Sequence, residues 1–194
     1  MEYYGVNMEF FIHKLSDNKS IQEKIKEFLF SQIKSEYGYG YVPEYHEDII
    51  NMENFYLNSC NSELFYIMDD ENKIIATIAI RPYDKNFKEF NGIYDSKSTA
   101  SIWRLFVDPK FRRHGLATKL FNIVEDFCYV NNYNEIYLHT HKNLKGGFSF
   151  WQAMDFEITL DTNNELQTVH MVKNIPKLND SNLINSSSEK RVLV

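Results

Sequence analysis

The residues best suited to chemistry in this 194-residue chain form one short turn, Arg112-Arg113-His114-Gly115-Leu116-Ala117. The apolar and β-branched run Ile102–Val107 before it predicts a strand, which Asp108-Pro109 stops because proline cannot donate to a ladder. From Leu116 onwards, apolar residues recur every three or four positions, which predicts an amphipathic helix. A turn at a helix N-terminus leaves backbone N–H groups unpaired at the positive end of the helix dipole. It therefore suits a phosphate group.

The residue types within this turn agree with phosphate binding. Gly115 has no Cβ to hold a phosphate away from the backbone, and Ala117 is the next smallest choice. Arg112 and Arg113 add positive charge beside the N–H donors. Alone, however, Arg-x-x-Gly-x-Ala is short enough to occur by chance, and an ordinary basic turn between a strand and a helix is the alternative interpretation.

The ordered context of the turn is more specific. The strand, Val-Asp-Pro-x-Phe-Arg, Arg-x-x-Gly-x-Ala and the amphipathic helix, in succession, resemble the acetyl-coenzyme A binding motif of the GCN5-related N-acetyltransferases, or GNAT family. In that family the pattern is Gln/Arg-x-x-Gly-x-Gly/Ala, and its amides hold the pyrophosphate of the cofactor.

A second segment carries the same resemblance. Asn143-x-x-Gly146-Gly147-x-x-Phe150-Trp151-x-x-x-Asp155-Phe156 is similar to the family's Asn-x-x-Ala-x-x-Phe-Tyr-x-x-x-Gly-Phe, which lies beside the thiol end of the cofactor. Asp155 stands where the family has glycine. Trp151 replaces the tyrosine that protonates the departing thiolate in many members.

The resemblance implies an α/β fold of the GNAT (acyl-CoA N-acyltransferase) type, with a mixed, mostly antiparallel central sheet of about seven strands and helices on both faces. It implies acetyl-CoA as the acyl donor, with the backbone of the strand pairing with the pantetheine arm and an N–H near Val107 stabilising the oxyanion. The cofactor residues that follow are Leu105, Phe106, Val107, Arg112, Arg113, His114, Gly115, Leu116, Ala117, Thr118, Asn143, Phe150 and Trp151.

The implied reaction is acetyl transfer to a primary amine of a small molecule or peptide. Because such an amine has a pKa of about 10, a general base is needed, and His139, on a predicted strand, is the candidate catalytic residue. An inert strand histidine is the alternative. Glu44, Glu47 and Asp48 are interpreted either as attracting a cationic substrate or as a solvated helix face.

Two competing hypotheses concern function. His139 and His141 lie on the same side of a strand, a spacing that can hold a metal, but no cysteine or carboxylate nearby in sequence completes a site, and no metal is predicted. The second is a catalytically impaired acyl-CoA-binding regulatory or interaction module on the same fold, which the loss of the family tyrosine at Trp151 keeps open.

Hydrophobic periodicity predicts the remaining elements. A Ser20 to Glu23 capping box is expected to open the first helix, and Pro82–Ser98, without periodicity, is interpreted as a mobile flap. The tyrosine-rich stretch Glu36–Tyr45 is either a packed loop or a substrate wall. Strands are expected at Met8–Leu15, Leu64–Asp69, Lys73–Arg81, Glu135–Thr140, Glu157–Leu160 and Glu165–Lys173, and further helices at Glu47–Asn58 and Asn143–Met154.

Composition limits the class of protein. Hydrophobic residues are 43% of the chain, enough for one domain over residues 1–176, which the resemblance implies is an acetyltransferase domain, with 177–194 expected to be a disordered tail. The two cysteines form no disulfide framework, and no signal peptide or membrane-spanning run is apparent, so a cytoplasmic protein is predicted. The net charge of −6 argues against nucleic acid and mildly favours a cationic substrate. A homodimer is compatible with the sequence.

Overall fold

A computed structural model of the chain describes residues 9–84, 87–144 and 146–176, which contain one seven-stranded sheet flanked by helices. The strands are β1 (Ile12–Lys14), β2 (Glu63–Met68), β3 (Ile74–Pro82), β4 (Thr99–Val107), β5 (Glu135–His141), β6 (Glu157–Asp161) and β7 (Thr168–Asn174). The α-helices are α1 (Lys19–Tyr37), α2 (Pro43–Ile50), α3 (Leu116–Val130) and α4 (Gly147–Ala153). Single turns of other helix types lie at Glu53–Leu57, Lys88–Phe90 and Pro109–Phe111.

The sheet has the strand order β1-β2-β3-β4-β5-β7-β6. Within it, β4 and β5 are parallel, and the other neighbouring strands are antiparallel. The predicted mixed, mostly antiparallel α/β sheet is therefore confirmed. The predicted tail 177–194 and Met8 lie outside the described residues.

Both faces of the sheet are buried, because strand residues alternate between two cores. On β2, Phe65 and Ile67 belong to the core that includes α3, whereas Leu64 and Tyr66 belong to the core that includes α1. Residues 74–81 of β3 are all buried, as expected for a strand covered on both faces. Helices therefore cover both faces, as predicted.

Several predicted element boundaries differ from the structure. Asn18, and not Ser20, caps α1, because its Oδ1 accepts hydrogen bonds from the N–H groups of Ser20 (3.0 Å) and Ile21 (3.3 Å). The single helix predicted over Glu47–Asn58 is instead α2, starting at Pro43, followed by a separate π-helical turn. Proline favours this start because its missing N–H would be unpaired there in any case.

The interpretation of Pro82–Ser98 as a mobile flap is wrong for its described part. Tyr83 and Phe90 are buried, and with Tyr94 their rings pack around Tyr137 of β5 at centroid distances of 5.0, 6.0 and 5.2 Å. These aromatic side chains thus anchor the described part of the segment to the sheet. Among the described residues, no helix is long and apolar enough to cross a membrane.

Candidate functional site

The site is formed where two parallel strands part. β4 and β5 pair only from Thr99–Glu135 to Ser101–Tyr137, and no further pair of the described residues continues the ladder. On the other side of β4, the register with β3 shifts by a residue, and Arg104 adopts a left-handed φ of 53°. This is a β-bulge, and Thr77 Oγ1 stabilises it by donating to the Arg104 carbonyl oxygen at 2.8 Å.

The bulged strand turns backbone groups towards the split. The N–H of Asp108 donates to Ile75 O of β3 at 2.8 Å. Because successive residues of a strand point their N–H and C=O groups in opposite directions, those of Val107 and Leu105 point away from β3, into the split. The main chain of Phe106 faces β3 instead. Leu105 and Val107 can therefore pair with an extended ligand, whereas Phe106 contributes only its side chain to the wall.

The predicted phosphate turn has the expected local geometry. Arg113 and Gly115 both adopt left-handed φ values, 70° and 76°, and Gly115 is the N-cap of α3. The first helical hydrogen bond is donated by Lys119 to Gly115 O at 2.9 Å, and no acceptor among the described residues receives the N–H groups of residues 116–118. A Cβ at position 115 would meet no atom within 4 Å, so the turn is open to an approaching anion.

The cationic side chains of this turn behave differently from one another. Arg112 folds back over the strand, donating from Nε to Val107 O at 3.1 Å and forming an ion pair with Glu36 of α1. Arg113 is exposed on the cleft wall. The Nδ1 atom of His114 lies 3.0 Å from Arg112 O, and its ring is not part of the cleft wall.

The second predicted segment is only partly brought into the site. Phe150 and Trp151 of α4 line the cleft, and the Trp151 ring packs against Phe121, Phe150 and Phe156 at centroid distances of 5.8, 4.9 and 5.2 Å. Trp151 is 6% exposed. Asn143 is exposed, precedes the first residue of α4 and is not part of the cleft wall.

A single cleft of about 1090 Å³ joins the turn, the split and the tyrosine-rich stretch. Its wall also contains Tyr37, Tyr39 and Tyr45. Tyr37 stacks on Tyr39 (5.7 Å) and meets the edge of His141 on β5 (6.3 Å), so the end of α1 lies over the far side of the split. Of the two interpretations of this stretch, the position supports the substrate wall.

The histidines of β5 lie on the same wall. His139 is exposed at the split, and its ring centroid lies 6.0 Å from that of His170 and 6.1 Å from that of Phe87. The pKa of His141 is lowered because burial disfavours its charged form, and its Nδ1 lies 3.1 Å from Thr168 Oγ1. Within the described part of the chain, no group of three or more metal-ligating side chains occurs.

Arg104 was not predicted as a site residue, and it changes the interpretation of Asp48. Asp48 is 3% exposed and is bound by Arg104 Nε (3.0 Å), Arg104 Nη2 (2.5 Å) and the Tyr56 hydroxyl (2.6 Å). Burial acts to raise the pKa of Asp48, but the Arg104 and Tyr56 hydrogen bonds and nearby arginine charges outweigh it and lower the pKa. The negative charge of Asp48 is therefore balanced by Arg104 within the protein, whereas Glu44 and Glu47 are exposed on the cleft wall.

The split strands, the amide-bearing turn and the cleft that joins them correspond to the acyltransferase class expected from the sequence motifs. Residues 26–156 match the model of the acetyltransferase (GNAT) family, and the chain belongs to this family.

Similar proteins agree with this assignment at low identity. N-acetyltransferase 8 of Homo sapiens is 24% identical over 136 residues, which are 66% of this chain and 56% of that protein. An acetyltransferase of the GNAT family from Staphylococcus aureus Mu50 has a TM-score of 0.69 at 22% identity, covering 87% of this chain and 100% of that one. The PaiA N-acetyltransferase of Thermoplasma acidophilum, solved in complex with coenzyme A, has a TM-score of 0.61 at 19% identity, covering 86% and 99%. These structures establish the fold.

Proposed function

We propose that the protein transfers the acetyl group of acetyl-CoA to a primary amine of a small molecule or peptide. The observation that carries the proposal is the continuity of one cleft, which runs from the N–H groups at the start of α3, along the parted strands, to the tyrosine wall. A donor with an anionic end and an extended arm suits the first two parts. The third part is left for an acceptor.

The turn residues Arg112, Arg113, His114, Gly115, Leu116, Ala117 and Thr118 supply the cofactor end of the site, His114 through its backbone only. Their N–H groups and the exposed guanidinium of Arg113 are suited to the pyrophosphate. The backbone groups of Leu105 that face the split are suited to the amide-containing pantetheine arm, as in the addition of a strand to a sheet edge, which leaves the Val107 N–H for the acyl group.

The same strand can assist the acyl transfer. The Val107 N–H, directed into the split, is placed to stabilise negative charge that develops on the acetyl oxygen. His139 is our candidate for the base that removes a proton from the amine, because it is exposed at the split on the acceptor side. Trp151 cannot supply an acid, so the departing thiolate must obtain its proton from another group or from water.

Gly115 provides the direct test of cofactor binding. Gly115→Asp adds a carboxylate in the open space above the N–H groups, and we expect the affinity for acetyl-CoA to fall by more than about 100-fold through charge repulsion. Gly115→Asn is the matched control, since asparagine has nearly the same shape, carries no charge and tolerates a left-handed φ. Calorimetry should show much weaker binding for Asp than for Asn. Equal affinities in the two variants would contradict the phosphate assignment.

Catalysis is tested with a panel of primary amines and peptides, with release of free coenzyme A as the readout. We expect at least one amine to give turnover that depends on both substrates. The buried, acid-free Trp151 favours a second candidate, a module that binds acyl-CoA without catalysis. Tight binding of acetyl-CoA together with no coenzyme A release from any amine would favour that module.

A further inference from the structure

Arg81 places a buried positive charge on the acceptor side of the cleft. It lies near the end of β3, is 6% exposed and forms part of the cleft wall. Its guanidinium carbon is 4.0 Å from the centroid of the Trp103 ring and 4.8 Å from that of Phe55. Both rings stabilise the cation and hold its planar group in a fixed position.

The hydrogen-bonding capacity of this guanidinium is not filled by the protein. Its one ion-pair partner among the described residues is Asp84, at 3.1 Å from Nη2, and the Asp84 side chain is 50% exposed. Arg81 Nε is buried and has no hydrogen-bond partner within the described part of the chain. Burying a charged group with unused donors is costly, so a further partner would stabilise this arrangement.

The neighbouring arginine shows the contrast. Arg104 binds Asp48 through Nε and Nη2 and also donates to the Tyr45 carbonyl oxygen. Arg104 and Tyr56 thus take the hydrogen bonds of the Asp48 carboxylate, and Arg81 affects it only through its charge. Of these two arginines in the cleft wall, Arg81 is the one whose buried Nε has no acceptor among the described residues.

Arg81 is also close to the point where the strands part. It pairs with Ser101 of β4, which in turn pairs with Tyr137 of β5, the last pair of the parallel ladder. The next residue on the same face of β4 is Trp103, against which the guanidinium packs. The cation thus lies one step along the sheet from the split, where the proposed transfer takes place.

We propose that the acceptor is an amine that also carries a carboxylate, such as a free amino acid, and that Arg81 binds this carboxylate. The planar fork of a guanidinium matches the two oxygens of a carboxylate, and the stacked rings exclude water from the contact. Glu44 and Glu47, exposed on the same cleft, suit the ammonium end of such a molecule. This inference rests on the proposed function, since it names the acceptor of that cleft.

The experiment compares ligands that differ only in the carboxylate. Amino acids and the amines formed by their decarboxylation, for example phenylalanine with phenethylamine and lysine with cadaverine, are titrated by calorimetry into the protein saturated with coenzyme A. We expect at least one amino acid to bind about 10- to 100-fold more tightly than its decarboxylated partner, the range for a hydrogen-bonded charge.

Substitutions then locate the contact. Arg81→Met should remove the difference between the two ligands, and Arg81→Lys, which keeps the charge but not the fork, should reduce it by about 10-fold. Lys88→Met is the matched control, because Lys88 is an exposed cation in the segment between β3 and β4 and lies outside this cleft. It should leave the difference unchanged. If Arg81→Met does not fold, the Lys variant and the ligand comparison in the parent protein decide the question.

Two results would overturn the proposal. One is that every decarboxylated amine binds the parent protein as tightly as its amino acid. The other is that a folded Arg81 variant weakens both members of a pair equally. Because coenzyme A replaces acetyl-CoA, the titrations require no turnover. Binding of amino acids through Arg81 without any acetylation would refute the proposed enzyme and leave this site standing.

Discussion

The ion pair between Asp48 and Arg104 is the contact whose loss we expect to cost most. Both side chains are buried, at 4% and 11% exposure, and Asp48 also accepts the Tyr56 hydroxyl. Asp48→Ala would leave the Arg104 guanidinium inside the protein without its carboxylate. Breaking a buried pair in this way costs about 3–5 kcal/mol. A domain of this size is stable by about 5–15 kcal/mol, so the variant should fold with little stability to spare.

Thermal and urea unfolding at neutral pH measure this loss. For a chain of 150–250 residues, each kcal/mol lowers Tm by about 2–4 °C, so Asp48→Ala should lower it by about 6–20 °C. Glu36→Ala is the matched control. Its partner Arg112 and Glu36 itself are 39% and 26% exposed, so water screens that pair, and its loss should cost below ~1 kcal/mol.

The double variant Asp48→Ala with Arg104→Met separates the charge from the packing. Removing both charges should recover part of the loss, because the unpaired guanidinium is the main penalty. The reasoning is refuted if Asp48→Ala costs no more than Glu36→Ala. It is also refuted if the double variant is as unstable as the sum of its single variants.

Two further predictions concern histidines. Burial lowers the pKa values of His46, His141 and His170. The stability that these histidines contribute is therefore fully present above their unfolded pKa of about 6.5 and is lost as the pH falls below it. Tm should be lower at pH ~5.5 than at pH ~7.5, and an unchanged or higher Tm at pH ~5.5 would contradict this. His139→Gln should lower kcat by about 10²- to 10⁴-fold if His139 is the base. His13 is exposed outside the cleft, so His13→Gln should leave kcat unchanged. Equal rates for the two variants would exclude His139 as the base.

The elements around the candidate site that the sequence predicts correctly are those set by local geometry. A few adjacent residues determine the end of β4 at a proline, the start of α3 after a glycine and the unpaired N–H groups of the first helical turn. The predicted helix cap failed for a similar local reason. Asn18 and Ser20 are both capping residues, and only the path of the entering chain selects Asn18.

The acceptor side could not be predicted because its contacts join distant segments. Arg104 meets Asp48 across 56 positions of sequence, and it can do so because a bulge turns its backbone to a left-handed φ that its residue type does not favour. Arg81 looks like the ordinary polar end of a strand until Trp103 and Phe55 are seen to enclose it. Carboxylates near the site, such as Asp48, therefore looked available when the fold had already paired them.

Trp151 is the residue at which the proposed chemistry can be probed most directly. Its ring packs against Phe121, Phe150 and Phe156 while also lining the cleft, so the position serves the core and the site together. Trp151→Tyr and Trp151→Phe should both destabilise the protein by a similar amount, in the usual range of about 0.5–3 kcal/mol, because each leaves space around a smaller ring. The two variants differ by one hydroxyl, so any difference in rate reports on that group.

We expect Trp151→Tyr to exceed Trp151→Phe in kcat on the best amine by at least about 10-fold, since an acid that reaches the thiolate is worth up to about 10²- to 10⁴-fold. A thiol, with a pKa of about 8.5, leaves without an acid more readily than an alkoxide does, so the parent protein should still be active. Equal rates for Tyr and Phe would mean that the position only packs and that Tyr37, another cleft residue or water supplies the proton. No turnover in any of the three proteins, with acetyl-CoA still bound, would show that the fold is retained here for binding and not for catalysis.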